Sequence, residues 1–144
     1  ADSDYVRRCF KEYGLVTDPG GNYTAMYKPY HLIGLELGIS VASVGLRREP
    51  TGAPAGWHGD VVATAKRDLQ AGQLLDGEGG YTVYGRLMPA RDSVEEGYLP
   101  LGLSHQVKLK HAVRQSQAIR WSDVEYDDRS QAVQFRREME QTFA

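Results

Sequence analysis

Ala63-Thr-Ala-Lys-Arg-Asp-Leu-Gln-Ala-Gly-Gln-Leu-Leu-Asp76 is answered further along the chain by Val107-Lys-Leu-Lys-His-Ala-Val-Arg-Gln-Ser-Gln-Ala-Ile-Arg120. The two stretches align at an offset of 44 residues, from Lys66 to Lys110, which also sets Gln73 against Gln117. Apolar positions agree as well: Ala63 with Val107, Ala65 with Leu109, Leu69 with Val113 and Leu75 with Ile119. Gly72 faces Ser116, two small residues where a tight turn is expected. Two identities are few, but the shared apolar pattern reads as a structural duplication. Much of the chain is then scaffold.

Working outward, short β-like runs surround these copies: 61–65, 74–75, 81–87, 107–109, 119–121 and 124–126. Glycines at 72, 77, 79, 80, 85, 97 and 102 punctuate them. Many short strands with glycine turns predict a non-repetitive β module over residues 61–126. Residues 47–60, rich in Pro and Gly, form a connector. Ahead of it, Ser3 or Asp4 caps a helix whose apolar positions Val6, Cys9, Phe10 and Tyr13 follow helical spacing, with Gly14 as its stop. Asp18-Pro-Gly-Gly-Asn22 is a turn, and the alternating 23–27 run reads as a strand. Pro29 permits a helix start, so a helix is expected from Tyr30 to about Val44, apolar on several sides and buried against neighbours. Residues 127–144 form a C-terminal helix whose face is expected to carry Ala132, Phe135, Met139 and Phe143. The fold class is therefore α+β.

Composition excludes several functions. A hydrophobic fraction of 41% and a charged fraction of 25% are ordinary for a globular chain of 144 residues. A formal net charge of −2 and the lack of a dense basic run argue against nucleic acid. Lys108, Lys110, His111 and Arg114 alternate with apolar residues as a solvated strand face does. The single Cys9 cannot close an internal disulfide, lies on an apolar stripe and lacks an adjacent base, so it reads as a buried structural thiol in a reducing, cytoplasmic setting. No apolar run is long enough to cross a membrane. The chain opens at Ala1 without Met and enters a helix almost at once, so it is expected to be the tail of a longer protein.

The four histidines show no zinc spacing. His31 and Glu36, five residues apart, would stand about 140° apart on a helix and share no face. Gly77-Glu-Gly-Gly80 has neither the spacing nor the following helix of a dinucleotide site and reads as a turn. The best candidate for chemistry is Tyr27-Lys28-Pro29-Tyr30-His31, which sets an ammonium, two phenols and an imidazole just ahead of a helix N-terminus. Free amides and the helix dipole favour anions there, and structural hydrogen bonding at a domain junction is the competing reading. Arg47 and Arg48 read as a solvated pair beside the connector.

The stretch Lys66 to Leu75, with Leu99-Pro-Leu-Gly-Leu103 through Ile119-Arg-Trp-Ser-Asp-Val-Glu125, resembles the SAF domain. This is the β-clip module shared by sialic acid synthases, type III antifreeze proteins and flagellar P-ring chaperones. The family's Asp-hydrophobic-x-x-Gly-x-x-hydrophobic corner is intact at Asp68 to Leu75, whereas the second copy has Ala112 for Asp and Ser116 for Gly. Tyr27-Lys-Pro-Tyr-His-Leu-Ile-Gly-Leu-Glu36 is similar to the C-terminal region of NAD(P)-dependent oxidoreductases related to homoserine dehydrogenase and to the reductoisomerases of 1-deoxy-D-xylulose 5-phosphate. The resemblance implies that residues 1–46 end a catalytic domain. It also implies an NAD(P)-binding Rossmann domain upstream, homo-oligomeric assembly, and a role for Tyr27, Lys28, Tyr30 and His31 in holding a phosphorylated or carboxylated substrate. No catalytic residue is expected within this chain. The alternative is a free-standing SAF module that binds a carbohydrate or a partner protein without catalysis.

Overall fold

The computed structural model describes residues 1–143. Ala144, the last residue of the expected C-terminal helix, lies outside them. The chain divides into two units, Ala1–Ala53 and Pro54–Ala144, with the break inside the expected connector. The architecture is mixed α+β, with antiparallel sheets and four α-helices among the described residues.

In the first unit, α1 runs Asp4–Glu12, and the Ser3 hydroxyl accepts from the Val6 amide as the capping pattern predicts. Gly14 follows in the left-handed region, and Leu15 N–H closes on Phe10 O at 3.0 Å. Asp18 organises the next turn: its carboxylate accepts from the Gly20 and Tyr23 amides at 3.1 and 2.8 Å. The expected 23–27 strand is absent, because only Thr17 and Thr24 bridge and no second strand lies beside them. Helix α2 spans Ile33–Ala42, three residues later than expected, and continues into a π-helical turn at Ser43–Arg47 that ends on left-handed Arg48. Its expected burial is not seen. No described residue of 1–53 is buried, and Cys9 is only partly covered.

The second unit carries the core. Strand β1 (Gly59–Ala65) pairs antiparallel with β3 (Val83–Pro89), from Gly59 opposite Pro89 to Ala65 opposite Val83. Strand β2 (Leu74–Asp76), β4 (His105–Leu109) and β5 (Val124–Glu125) form a second antiparallel sheet in the order β2-β4-β5. A bulge at left-handed Gln106 shifts the β2–β4 register between Leu74–Lys108 and Asp76–His105. The expected 119–121 strand reduces to isolated bridges at Ala118 and Arg120, followed by a 3-10 turn at Trp121–Asp123. Leu69, Leu75, Leu99, Leu109 and Ile119 are each at most 1% exposed. Burying a side chain of that size stabilises the fold by about 1.5–3 kcal/mol.

The two copies fold onto one another through an approximate twofold relation. Leu69 and Val113 exchange both backbone hydrogen bonds, at 2.8 and 3.0 Å. Gly72 N–H donates to Leu109 O at 2.7 Å, and its counterpart Ser116 donates to Ala65 O at 2.8 Å. Ala65 donates to Gln117 O while Leu109 donates to Gln73 O, at 3.0 and 2.9 Å. Even the side chains repeat: Gln73 Oε1 accepts from Gln70 N, and Gln117 Oε1 from Arg114 N. Gly72 and Ser116 both sit in the left-handed region, at φ +82° and +65°. Asp68 breaks the symmetry by accepting from Gln115 N through its carboxylate at 2.8 Å, since Ala112 has no side-chain oxygen to offer in return.

Helix α3 (Ala90–Glu96) was not expected; two short turns with little apolar periodicity leave Gly97, its left-handed stop, as the only strong mark. Helix α4 (Gln131–Phe143) docks by another face than the apolar spacing suggests. Val133 and Arg136 are buried, while Phe135 is 70% exposed. Arg136 makes a bidentate pair with Asp60, at 3.0 and 2.7 Å, and Ser93 of α3 donates to the same carboxylate at 2.6 Å. The guanidinium of Arg136 stacks on Trp57 and that of Arg137 on Trp121, 4.5 and 4.2 Å from the ring centroids. Consecutive arginines thus cap both tryptophans of the chain, each stacking contributing about 0.5–2 kcal/mol.

Candidate functional site

Lys28 and His31 lie in the segment leading into α2, not on the helix, and this changes which groups meet. Because the helix begins at Ile33, His31 is free of the helical azimuth that would have kept it from Glu36. Its Nδ1 lies 2.5 Å from one Glu36 oxygen, and Lys28 Nζ pairs with the other. The expected separation of His31 from Glu36 is thereby corrected. Glu36 stands in the first turn of α2, where its charge complements the helix dipole, and the Leu32 cap has no side-chain bond.

The result is a carboxylate held between an ammonium and an imidazole, at a partly exposed position. Lys28 Nζ lies 6.0 Å from the Tyr30 ring centroid. Tyr27 and Tyr30 are exposed, with 87% and 62% of their surface open. Chemically the cluster is an oxyanion clasp already filled by its own glutamate. The signal for Glu36 was present in the sequence as a lone acid in an apolar helix; the helix start hid its partner.

Other charged groups stand elsewhere. Arg47 ends the π-helical turn and Arg48 follows it, and neither makes an ion pair among the described residues. Lys108 is exposed on β4, and exposed Lys110 lies in the bend just after the strand, not on it as expected. Among the described residues no group of three His, Cys, Asp or Glu side chains is placed to hold a metal. None of the described helices is long and apolar enough to cross a membrane.

Two polar centres escaped the sequence reading. Burial pushes the Asp60 carboxyl up, but hydrogen bonds from Arg136 and Ser93 outweigh it and hold it below the usual carboxylate range. At the 77–80 turn, Asp76 accepts from the Thr82 hydroxyl and from the Tyr81 and Thr82 amides. Desolvation raises the Asp76 carboxyl, and these donors, the Thr82 hydroxyl foremost, lower it further, to about 2. Gly80 is required there because a Cβ would lie 2.2 Å from Asp76 Cγ. This glycine cluster is a carboxylate-centred turn followed by a strand, as its spacing predicts. No protein-family model matches the chain, and no curated protein matches it.

Proposed function

We propose that this chain is the C-terminal portion of an NAD(P)-dependent oxidoreductase of the homoserine-dehydrogenase-like type, with residues 61–126 forming an SAF-type β-clip. The observation that carries the reading is the reciprocal Leu69–Val113 pairing, with glycine-like corners at Gly72 and Ser116. A β-clip doubled about a local twofold axis needs such a pair. The reductase context rests on the resemblance of residues 27–36.

Burial in the first unit supports that context. Helix α2 carries Ile33, Leu35, Leu37, Ile39 and Val41, all exposed. A helix apolar on every side belongs in the interior of a larger body. In this reading, residues 1–46 are the edge of a catalytic domain whose Rossmann part binds NAD(P). The β module contributes scaffold, pocket closure and contacts in a homo-oligomer. Lys28 and His31, flanked by Tyr27 and Tyr30, receive the substrate's phosphate or carboxylate in place of Glu36.

The division into two units favours a second reading, a free-standing SAF module that binds a carbohydrate or a partner protein. Residues 54–143 own a core to themselves, as such a module requires. Calorimetric titration with NADPH separates the two. The oxidoreductase reading expects saturable binding by the complete polypeptide that the gene encodes and none by residues 1–144. Absence of binding by the complete polypeptide overturns it, and binding by these 144 residues alone refutes the placement of the cofactor.

A further inference from the structure

The first unit contains a cavity of about 590 Å³ between α1 and the loop that follows it. Arg7, Arg8 and Lys11 line one wall, and Asp4 is the one acid among the lining residues. Positions 7 and 11 are one helical turn apart and position 8 is three before 11, so the three cations share a side of α1. Asp4 is engaged with Arg7, whose Nη1 lies 2.7 Å from its carboxylate, and Arg7 Nε donates to Asn22 at 2.9 Å. Arg8 and Lys11 make no ion pair with any described residue. Two uncommitted positive charges therefore face one cavity in a chain whose formal net charge is −2.

The opposite wall is built before any ligand arrives. Asp18 turns its carboxylate onto the Gly20 and Tyr23 amides, away from competition for the cations. Gly21 N–H closes on Asp18 O at 3.0 Å, and Asn22 is tied to Arg7. Leu15 and Pro19 add apolar surface to the lining. A preformed wall reduces the ordering cost of binding. The size lies in the range of small-molecule sites and exceeds what a lone phosphate group fills.

We propose that this cavity binds a phosphorylated small molecule, its dianionic phosphate held by Arg8 and Lys11 and its organic body against Leu15 and Pro19. Guanidinium and ammonium donors make charge-assisted hydrogen bonds to phosphate oxygens, and the two free charges match the dianion. This site is separate from the Lys28–His31 clasp and stands whether or not the chain belongs to a reductase.

The test is an amide NMR titration of the 144-residue chain with inorganic pyrophosphate at constant ionic strength. Saturable shifts confined to residues 7–21 are expected. The double variant Arg8→Gln, Lys11→Gln keeps helix-forming residues at exposed positions and should weaken binding about tenfold or more. The variant Lys108→Gln, Lys110→Gln, on β4 and the bend after it, should bind as the parent chain does. The proposal is overturned by shifts that never saturate, by shifts spread equally over β4, or by undiminished binding in the first variant.

Discussion

Gly72 and Ser116 occupy the same corner of the two copies, and each donates its amide to the carbonyl that the twofold relation assigns, Leu109 O and Ala65 O. Only one of them is glycine. The left-handed conformation costs an L-residue about 1–2 kcal/mol, and a glycine costs back about 0.5–1 kcal/mol in unfolded-chain freedom. Ser116→Gly should therefore stabilise the protein by about 0.5 kcal/mol, and Gly72→Ala should destabilise it by about 1–2 kcal/mol. Urea unfolding midpoints report both. A loss of stability in Ser116→Gly would mean that the serine hydroxyl, not the backbone angle, governs that corner.

The clamp between Asp60 and Arg136 is the most sensitive polar contact of the second unit. Both side chains are nearly closed to water, at 7% and 8% exposure. Arg136→Met leaves the Asp60 carboxylate buried without a counter-charge and should cost about 3–5 kcal/mol, whereas Asp60→Asn should cost less, because Glu140 still pairs with Arg136 at 2.7 Å. The double variant should lose less than the sum of the two, because no lone charge remains. Chemical denaturation of all four proteins completes the cycle. Additive losses would show that the two groups do not depend on each other.

Acid should weaken the fold through Asp76. Its carboxyl lies at about 2 in the folded protein against an ordinary 3.8. A depressed carboxyl contributes stability that is fully present above its unfolded value and is lost as pH falls toward its folded one. Stability should therefore decline between about pH 4 and pH 2. Asp76→Asn should be about 1–2 kcal/mol less stable at neutral pH and show a shallower decline over that interval. Asp60, also depressed, keeps the decline from vanishing. Thermal unfolding across the range provides the comparison, and parallel curves for the two proteins would exclude Asp76 as a source of acid sensitivity.

If Lys28 and His31 take an anion as proposed, Glu36, which pairs with both, is the competitor to remove. Glu36→Gln removes the internal anion while leaving the helix start in place. Phosphate or citrate should then perturb the His31 ring resonances at several-fold lower concentration than in the parent chain, about what one charged hydrogen-bond partner is worth. Stability should change by at most about 1 kcal/mol, since exposed ion pairs contribute little. Unchanged anion affinity would show that Glu36 is not the competitor.

What could be read beforehand follows the range of each interaction. The cap at Ser3, the glycine stop at Gly14 and the doubled corner are local or repetitive signals, and the structure contains all three. The Asp60–Arg136 pair joins residues 76 positions apart, and no periodicity marks a polar contact at that distance. For the same reason α4 was turned to the wrong face: Val133, Arg136, Arg137 and Glu140 keep helical spacing, one step around from Phe135. A buried ion pair and two stacked tryptophans outweigh one phenylalanine. At the candidate clasp the helix start, expected three positions too early, concealed that Glu36 pairs with Lys28 and His31.

Arg136 also sets an order of events during synthesis. Asp60 leaves the ribosome 76 residues ahead of its counter-charge, although β1 already has its partner β3 once Pro89 has emerged. A nascent chain stalled short of α4 would hold an orphaned carboxylate and two uncapped indoles, a state that chaperones and proteases are equipped to recognise. Quality control of this module accordingly waits on the second turn of α4, where Arg136 lies.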